Sequence, residues 1–210
     1  MADAYNKTEL AILNAAEEIF LKKGYDGAKT TEIAQTAGVT HALLHYYFRT
    51  KENLFNKVYE KKVDLISHSL FSCFFDFSLP LHERLKKAIE SHFDFLYDNP
   101  GLPRFVINEI IPDGNRMEKF KNTVGTVPEV LLDTLQKELD SAASAGEICR
   151  IKAADLMLDI VSLNVFLFLM YPVIKELSGR IYGSEKAMLE ARKAENVKVI
   201  IARLKNTDSK

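Results

Sequence analysis

Between Thr31 and Lys51 the chain reads TEIAQTAGVTHALLHYYFRTK, two short helical patterns around a tight Gly38-Val39-Thr40 turn. Ile33, Ala34 and Ala37 give the first pattern its apolar spacing; Leu44, Tyr47 and Phe48 give it to the second. Gly38 can take the turn dihedrals at no side-chain cost, and Thr40 can cap the second helix through its hydroxyl. This is the layout of a helix-turn-helix, the unit that places one helix in a DNA groove. The preceding residues supply a helix to pack across its back. Asn6 with Glu9 three residues later is a start of the capping-box type. Leu10, Ile12, Leu13, Ala16, Ile19 and Phe20 then form an apolar stripe that stops at Gly24, a residue suited to ending a helix.

The rest of the chain is also written in the helical period. After Thr50 comes KENLFNKVYEKKVDLISHSLFSCFF, with Leu54, Phe55, Val58, Tyr59 and Leu65 at helical spacing, which predicts a long helix leaving the small N-terminal unit for a second domain. Breaks at Leu79-Pro80, Asn99-Pro100-Gly101, Pro112-Asp113-Gly114, Val127-Pro128 and Ala145-Gly146 leave helices at about 80–98, 102–111, 115–124 and 128–144. The last two, about 152–177 and 184–206, are the longest of the later segments. Met188, Ala191, Ala194, Val197, Ile201 and Leu204 line one face of the final helix. With the apolar helix before it, that face suits a four-helix bundle with the same two helices of a second copy, so a homodimer through the last two helices is expected. The predicted fold is all-α: an N-terminal three-helix helix-turn-helix domain over 6–66 (the motif at about 29–48), then a C-terminal helical domain over 67–206 for ligand binding and dimerisation.

Composition narrows the class. An apolar content of 47% with 27% charged residues, six Pro and nine Gly in 210 residues describe an ordinary globular chain with a sizeable core. Cys73 and Cys149 stand far apart without metal-ligand spacing, which suits a reduced, cytoplasmic setting. The start, MADAYNKTEL, lacks an export pattern. Leu156 to Ile174 is nearly long enough to cross a bilayer, but it holds Asp159, Asn164 and Pro172, and a helix that is apolar all round also describes a buried interface. No membrane partner is expected.

Net charge does not point to nucleic acid: residues 1–60 hold seven Lys plus Arg against eight Asp plus Glu. Placement matters more. From Ile33 to Lys51 no acidic residue occurs, while His41, His45, Arg49 and Lys51 all fall there, so a DNA footprint would be a local patch.

The stretch GYDGAKTTEIAQTAGVTHALLHYYFRTKENLF resembles the N-terminal domain of the TetR family of bacterial transcriptional regulators. The resemblance covers about residues 6–66. It is carried by Gly24-Tyr25, Ile33-Ala34, Ala37-Gly38-Val39, Leu44, Tyr47-Phe48 and Lys51-Glu52-Asn53-Leu54-Phe55. It implies a homodimer whose recognition helices enter successive major grooves of a palindromic operator, with release when a small molecule occupies the C-terminal domain. Lys29, Ala42, Leu43 and His45 depart from the residues usual at those positions, which bears on the operator sequence and leaves the fold intact.

Within the motif, Lys51 stands out because a cation at a helix start opposes the macrodipole; a DNA phosphate there gives the broken rule a reason. Tyr47 and Tyr46 lie on adjacent faces, so both cannot be core. The resemblance implies that Tyr47 reaches phosphate through its hydroxyl and that Tyr46 faces the groove. Thr40 would cap the recognition helix and donate to phosphate, and Lys29 and Thr30 are placed for backbone contacts. His41 and Leu43 are candidates for reading base edges, with Ala42 near a thymine methyl or the backbone. His45 lies one turn beyond His41; such a pair without nearby Cys, Asp or Glu makes a poor metal site, so DNA contact is the expected role.

In the second domain the many phenylalanines are first of all core. A cavity among them would suit an apolar or aromatic effector, with candidates His68, Phe71, Phe75, His92, Phe105, Asn108, Asn164 and Phe168. No Gly-rich phosphate loop, paired metal-binding histidines or nucleophile motif occurs in the sequence, so neither an enzyme nor a cofactor is expected. The alternative is a helical ligand-binding or interaction protein on a degenerate helix-turn-helix scaffold.

Overall fold

The computed structural model describes residues 6–74, 78–125 and 128–205, and among them every regular element is helical. In chain order these are α1 (Lys7–Gly27), α2 (Thr30–Thr36), α3 (His41–Phe48), α4 (Lys51–Phe74), α5 (Leu81–Asp98), α6 (Leu102–Phe105), α7 (Gly114–Gly125), α8 (Pro128–Ser144), α9 (Ala153–Leu169), α10 (Tyr171–Tyr182) and α11 (Glu185–Lys205). A π-helical turn, Val106–Ile110, follows α6 directly. One compact unit is built from the chain up to Ile66 together with Arg104–Phe120; the other takes Ser67–Pro103 and the chain from Lys121 onward.

In the first unit the expected caps form. The Asn6 side chain accepts from the Glu9 N–H at 2.9 Å, and Thr40 Oγ1 accepts from the Leu43 N–H at 3.2 Å. Gly38 takes φ +67° in the turn between α2 and α3, a dihedral open to glycine without penalty. The α1 stripe Ile12, Ala16, Ile19 and Phe20 is buried with Ile33 and Ala34 of α2, Leu44 and Phe48 of α3, and Leu54, Phe55 and Val58 of α4. Each large side chain so buried contributes about 1.5–3 kcal/mol, so the inner face of α3 anchors it in the core. Phe20 and Tyr25 both meet the Phe55 ring edge-on, with centroids 5.0 Å apart. Glu17 of α1 pairs with Lys61 and Lys62 of α4. Burial pushes its carboxyl up, but the two ammonium groups outweigh this and hold it below the usual carboxylate range.

The sequence reading assigns 67–206 to the second domain, whereas Arg104–Phe120 gathers with the first unit. The reason is non-local. Phe105 packs against Phe55 at 5.9 Å between centroids, Glu109 accepts the Tyr25 N–H at 2.9 Å, and the Tyr59 hydroxyl donates to the Arg116 carbonyl at 2.6 Å.

In the second unit α5, α8, α9 and α11 enclose Leu85, Ala88, Ile89, Leu135, Leu139, Leu156, Ile160, Ile200 and Leu204. Phe93, Leu96, Leu167, Phe168, Met188 and Leu189 form a second cluster. The helix expected over 152–177 is two helices. It stops at Leu169, Met170 turns out of the helical region at φ −91° and ψ 7°, and α10 restarts with Pro172 in its first turn. Proline lacks the N–H and crowds the residue before it, so it can open a helix but not continue one. No helix among the described residues is long and apolar enough to cross a membrane. On α11 the inward residues are Met188, Leu189, Asn196, Ile200 and Leu204. Of the face read from sequence, Val197 and Ile201 are half-buried and Ala191 and Ala194 are exposed.

Candidate nucleic-acid interface

With Leu44 and Phe48 anchored in the core, the helical repeat turns His41, Ala42, Leu43 and Tyr46 of α3 outward. Tyr46 is 66% exposed and Leu43 36%. Lys29 is exposed and occupies the N-cap position of α2 without making a side-chain cap. Thr30, the first residue of α2, reaches α3 instead: its Oγ1 lies 2.9 Å from His41 Nε2.

His41 and His45 are joined, Nε2 to Nε2, at 3.1 Å, with ring centroids 4.4 Å apart and edges turned to faces. His45 Nδ1 lies 2.8 Å from the Arg49 carbonyl. A carbonyl only accepts, so Nδ1 of His45 carries the proton and, in the neutral ring, Nε2 is left to accept from His41. The pair is thus already engaged with Thr30 and Arg49, and any further partner must compete for His41's Nε2. The two rings gather no third His, Cys, Asp or Glu into a metal-binding group among the described residues.

Tyr47 is half-buried, and its hydroxyl accepts from Asn6 Nδ2 at 3.0 Å, which leaves its own proton available to a phosphate oxygen. Lys51 opens α4. Its Nζ lies 4.6 Å from the centroid of the Tyr25 ring and 3.4 Å from the Asp26 carbonyl. The aromatic face compensates in part for the unfavourable helix end, and the ammonium stays within reach of an anion bound there.

Arg49 is the residue that sequence reasoning placed only among the bases of the acid-free window. It ends α3 at φ +62° and ψ −56°, the one positive-φ residue other than glycine among those described. Its guanidinium lies 5.9 Å from the centroid of the exposed Tyr46 ring. Such a conformation costs of order 1–3 kcal/mol and collects at functional sites. Nothing in the one-dimensional pattern signals it, since a glycine would be the ordinary choice there.

The effector candidates are dispersed. His92 and Asn164 meet in the second unit: Asn164 Nδ2 donates to the Ile89 carbonyl at 3.0 Å and to His92 Nδ1 at 3.1 Å. Burial pushes the His92 imidazole down to about 4, in keeping with a ring that must accept through Nδ1. Phe168 is core, 5.2 Å from Phe93 between centroids, and His68 is an exposed residue of α4. Phe105 and Asn108 belong to the first unit, Phe105 buried and Asn108 exposed. Phe71 lies on α4, and Phe75 lies outside the described residues. The sequence reading did not single out Asn196, which is fully buried and donates from Nδ2 to Asn164 Oδ1 at 2.8 Å and to the Leu163 carbonyl at 3.2 Å. An amide between Leu189 and Ile200 on the buried stripe of α11 was its available signal.

Residues 12–58 match the model for bacterial regulatory proteins of the tetR family, and residues 82–200 match a Tetracyclin repressor-like C-terminal domain. The chain is 26% identical over 128 residues to the HTH-type transcriptional activator FasR of Mycolicibacterium smegmatis, covering 60% of this chain and 58% of that one. It is 27% identical over 128 residues to the biofilm operon icaADBC HTH-type negative transcriptional regulator IcaR of Staphylococcus epidermidis, covering 61% and 59%. The matched segment thus spans less than two thirds of the length of these relatives. Among solved structures, the transcriptional regulator FadR from Bacillus subtilis in complex with stearoyl-CoA aligns over 93% of this chain and 98% of its own, with TM-score 0.58 and 18% identity. The first model falls within the first unit, the second runs through 82–200 and so includes Arg104–Phe120, and together they span most of the sequence: the chain belongs to the TetR family of bacterial regulatory proteins.

Proposed function

We propose that the protein is a sequence-specific DNA-binding transcriptional regulator, a dimeric repressor released from a palindromic operator by a small-molecule effector. The observation that carries this reading is the outer face of α3. His41, Ala42, Leu43 and Tyr46 are exposed on a helix pinned by Leu44 and Phe48, in a window from Ile33 to Lys51 free of acidic residues. In this reading Lys29, Thr30, Thr40, Tyr47 and Lys51 contact phosphates, and the exposed face of α3 reads bases.

Dimerisation is supported by apolar side chains that the chain leaves in water. On α9 Leu158 is 63% exposed and Phe166 61%, and on α11 Val199 is 42% exposed. A second copy would cover them and set two recognition helices about 34–36 Å apart, one turn of DNA. The chain of α4 continues from the first unit into the second, so an effector that displaces α4 would change that spacing, and effector and operator binding would be reciprocally coupled. The relatives include both an activator and a negative regulator; release by effector is the repressor form of the same coupling.

The test is selection of a binding sequence from random duplexes, followed by titration. If the dimer neutralises about eight phosphates, log affinity falls with log salt at a slope near −7. Lys51→Ala combined with Tyr47→Phe is expected to weaken operator binding while sparing effector binding. A flat salt response on the selected duplex, or unchanged DNA affinity in the double variant, would overturn the reading.

A further inference from the structure

The buried polar chain of the second unit does not end at Asn196. The amide donates through Nδ2 and, through Oδ1, accepts from the Arg192 guanidinium at 2.7 Å. Every bond in the series runs the same way, from Arg192 to Asn196 to Asn164 to His92. Arg192 is therefore held in place by a neutral amide. Among the described residues no carboxylate pairs with it, whereas Lys193 meets Asp94 at 2.6 Å, Lys175 meets Glu185 at 3.0 Å, and Arg203 meets Asp159. Arg192 also lines a groove of about 380 Å³ between α9, α10 and α11, whose other walls are mainly apolar, Leu163, Leu167, Ile174 and Met188 among them, and which shares Phe166 with the dimer face proposed above. Arg192 is half-buried, and a guanidinium facing an apolar groove with no carboxylate on it can take an anion through charge-assisted hydrogen bonds. Its planar fork matches a carboxylate.

We propose that this groove binds a small amphipathic monoanion, with a carboxylate head on Arg192 and an apolar body along Leu163, Leu167, Ile174 and Met188. The proposal rests on the reading that the second unit takes an effector, and it names the chemistry and the place. Asn196 and Asn164 act as positioning residues: Asn196 Oδ1 holds the guanidinium, and Asn164, itself bonded to His92, holds Asn196. The volume is within the range of small-molecule sites.

The experiment is calorimetric titration of the full chain with decanoate and with 1-decanol, which share a tail and differ in charge. Decanoate is expected to bind at least roughly tenfold tighter. Arg192→Gln, which keeps a donor for Asn196 and removes the charge, is expected to abolish that preference and leave decanol binding unchanged; circular dichroism checks its fold. Ile174→Trp, which fills the groove, is expected to weaken both probes. Equal binding of the two probes, or a preference that survives Arg192→Gln, overturns the site. So does a shift of the monomer–dimer equilibrium in Arg192→Gln with neither probe bound, which would give the groove to a second copy. Charge-selective binding that leaves operator affinity unchanged supports the site and counts against the release reading, so the two fail separately.

Discussion

The carboxylate of Glu109 accepts the backbone N–H of Tyr25 at 2.9 Å across 84 residues of sequence. The same side chain lies 3.6 Å from Arg116, whose guanidinium is 4.2 Å from the Phe55 ring centroid and 5.2 Å from that of Tyr25. The π-helical turn Val106–Ile110 carries this acid to the end of α1. Such turns are rare and concentrate at functional places.

Glu109→Ala is expected to leave the Tyr25 N–H without its acceptor and Arg116 with Asp113 as its one remaining acid. The cost is about 1–3 kcal/mol, a fall in Tm of about 2–4 °C per kcal/mol for a chain of this size. Glu109→Gln keeps an acceptor for the N–H and should lose less. Thermal melts that rank the two in the opposite order would refute this division of roles.

Gly24 sits at φ +72°, where an added Cβ would come within 2.7 Å of Glu109 Oε1. Gly24→Ala therefore combines backbone strain with a clash against a tethered carboxylate, and a loss of at least about 1 kcal/mol is expected in urea unfolding. Pairing it with Glu109→Ala should relieve the steric part, so the double variant will lose less than the sum of the singles. Strict additivity would show that the clash is absorbed elsewhere.

Burial pushes His92 from its ordinary 6.5 down to about 4. Between those values the unfolded chain binds a proton that the folded chain does not, so stability rises with pH across this window. The contribution is complete above about pH 6.5 and is lost as pH falls toward 4, with a ceiling of roughly 3 kcal/mol. His92→Gln, which still offers Asn164 an acceptor, should flatten the slope of unfolding free energy between those limits. A slope unchanged by the substitution would place the acid sensitivity on other groups.

Arg49→Gly tests whether the strained end of α3 is kept for contact. Glycine takes the positive φ freely, so stability should be unchanged or rise by up to about 1 kcal/mol. Affinity for the selected duplex should fall and the salt slope should shrink by about one. A variant that binds DNA as well as the parent would make Arg49 a structural cap and nothing more.

How much of this was legible in advance depends on the range of the interactions. The two helices of the motif, their turn at Gly38 and the caps at Asn6 and Thr40 are local, set by dihedral preferences and hydroxyl or amide side chains within four residues. The repeat of Leu44 and Phe48 likewise settled which face of α3 is buried, and so left His41, Leu43 and Tyr46 outside. Most helix limits were readable for the same reason. The exception, the break at Met170, comes from Pro172 set in an apolar run whose periodicity hides it.

The chain's own residue order determined an all-helical body and the identity of the motif, because caps, breakers and a 3.6-residue repeat act over a few positions. Tertiary structure decided that Arg104–Phe120 joins the first unit, that Glu109 closes on Tyr25, that Arg49 is strained, and that Arg192, Asn196, Asn164 and His92 form one directed chain. Apart from the Arg49 dihedrals and the one-turn bond of Arg192 to Asn196, these depend on which polar atoms meet across 32 to 84 residues. Burial makes such pairing obligatory, but only packing chooses the partners.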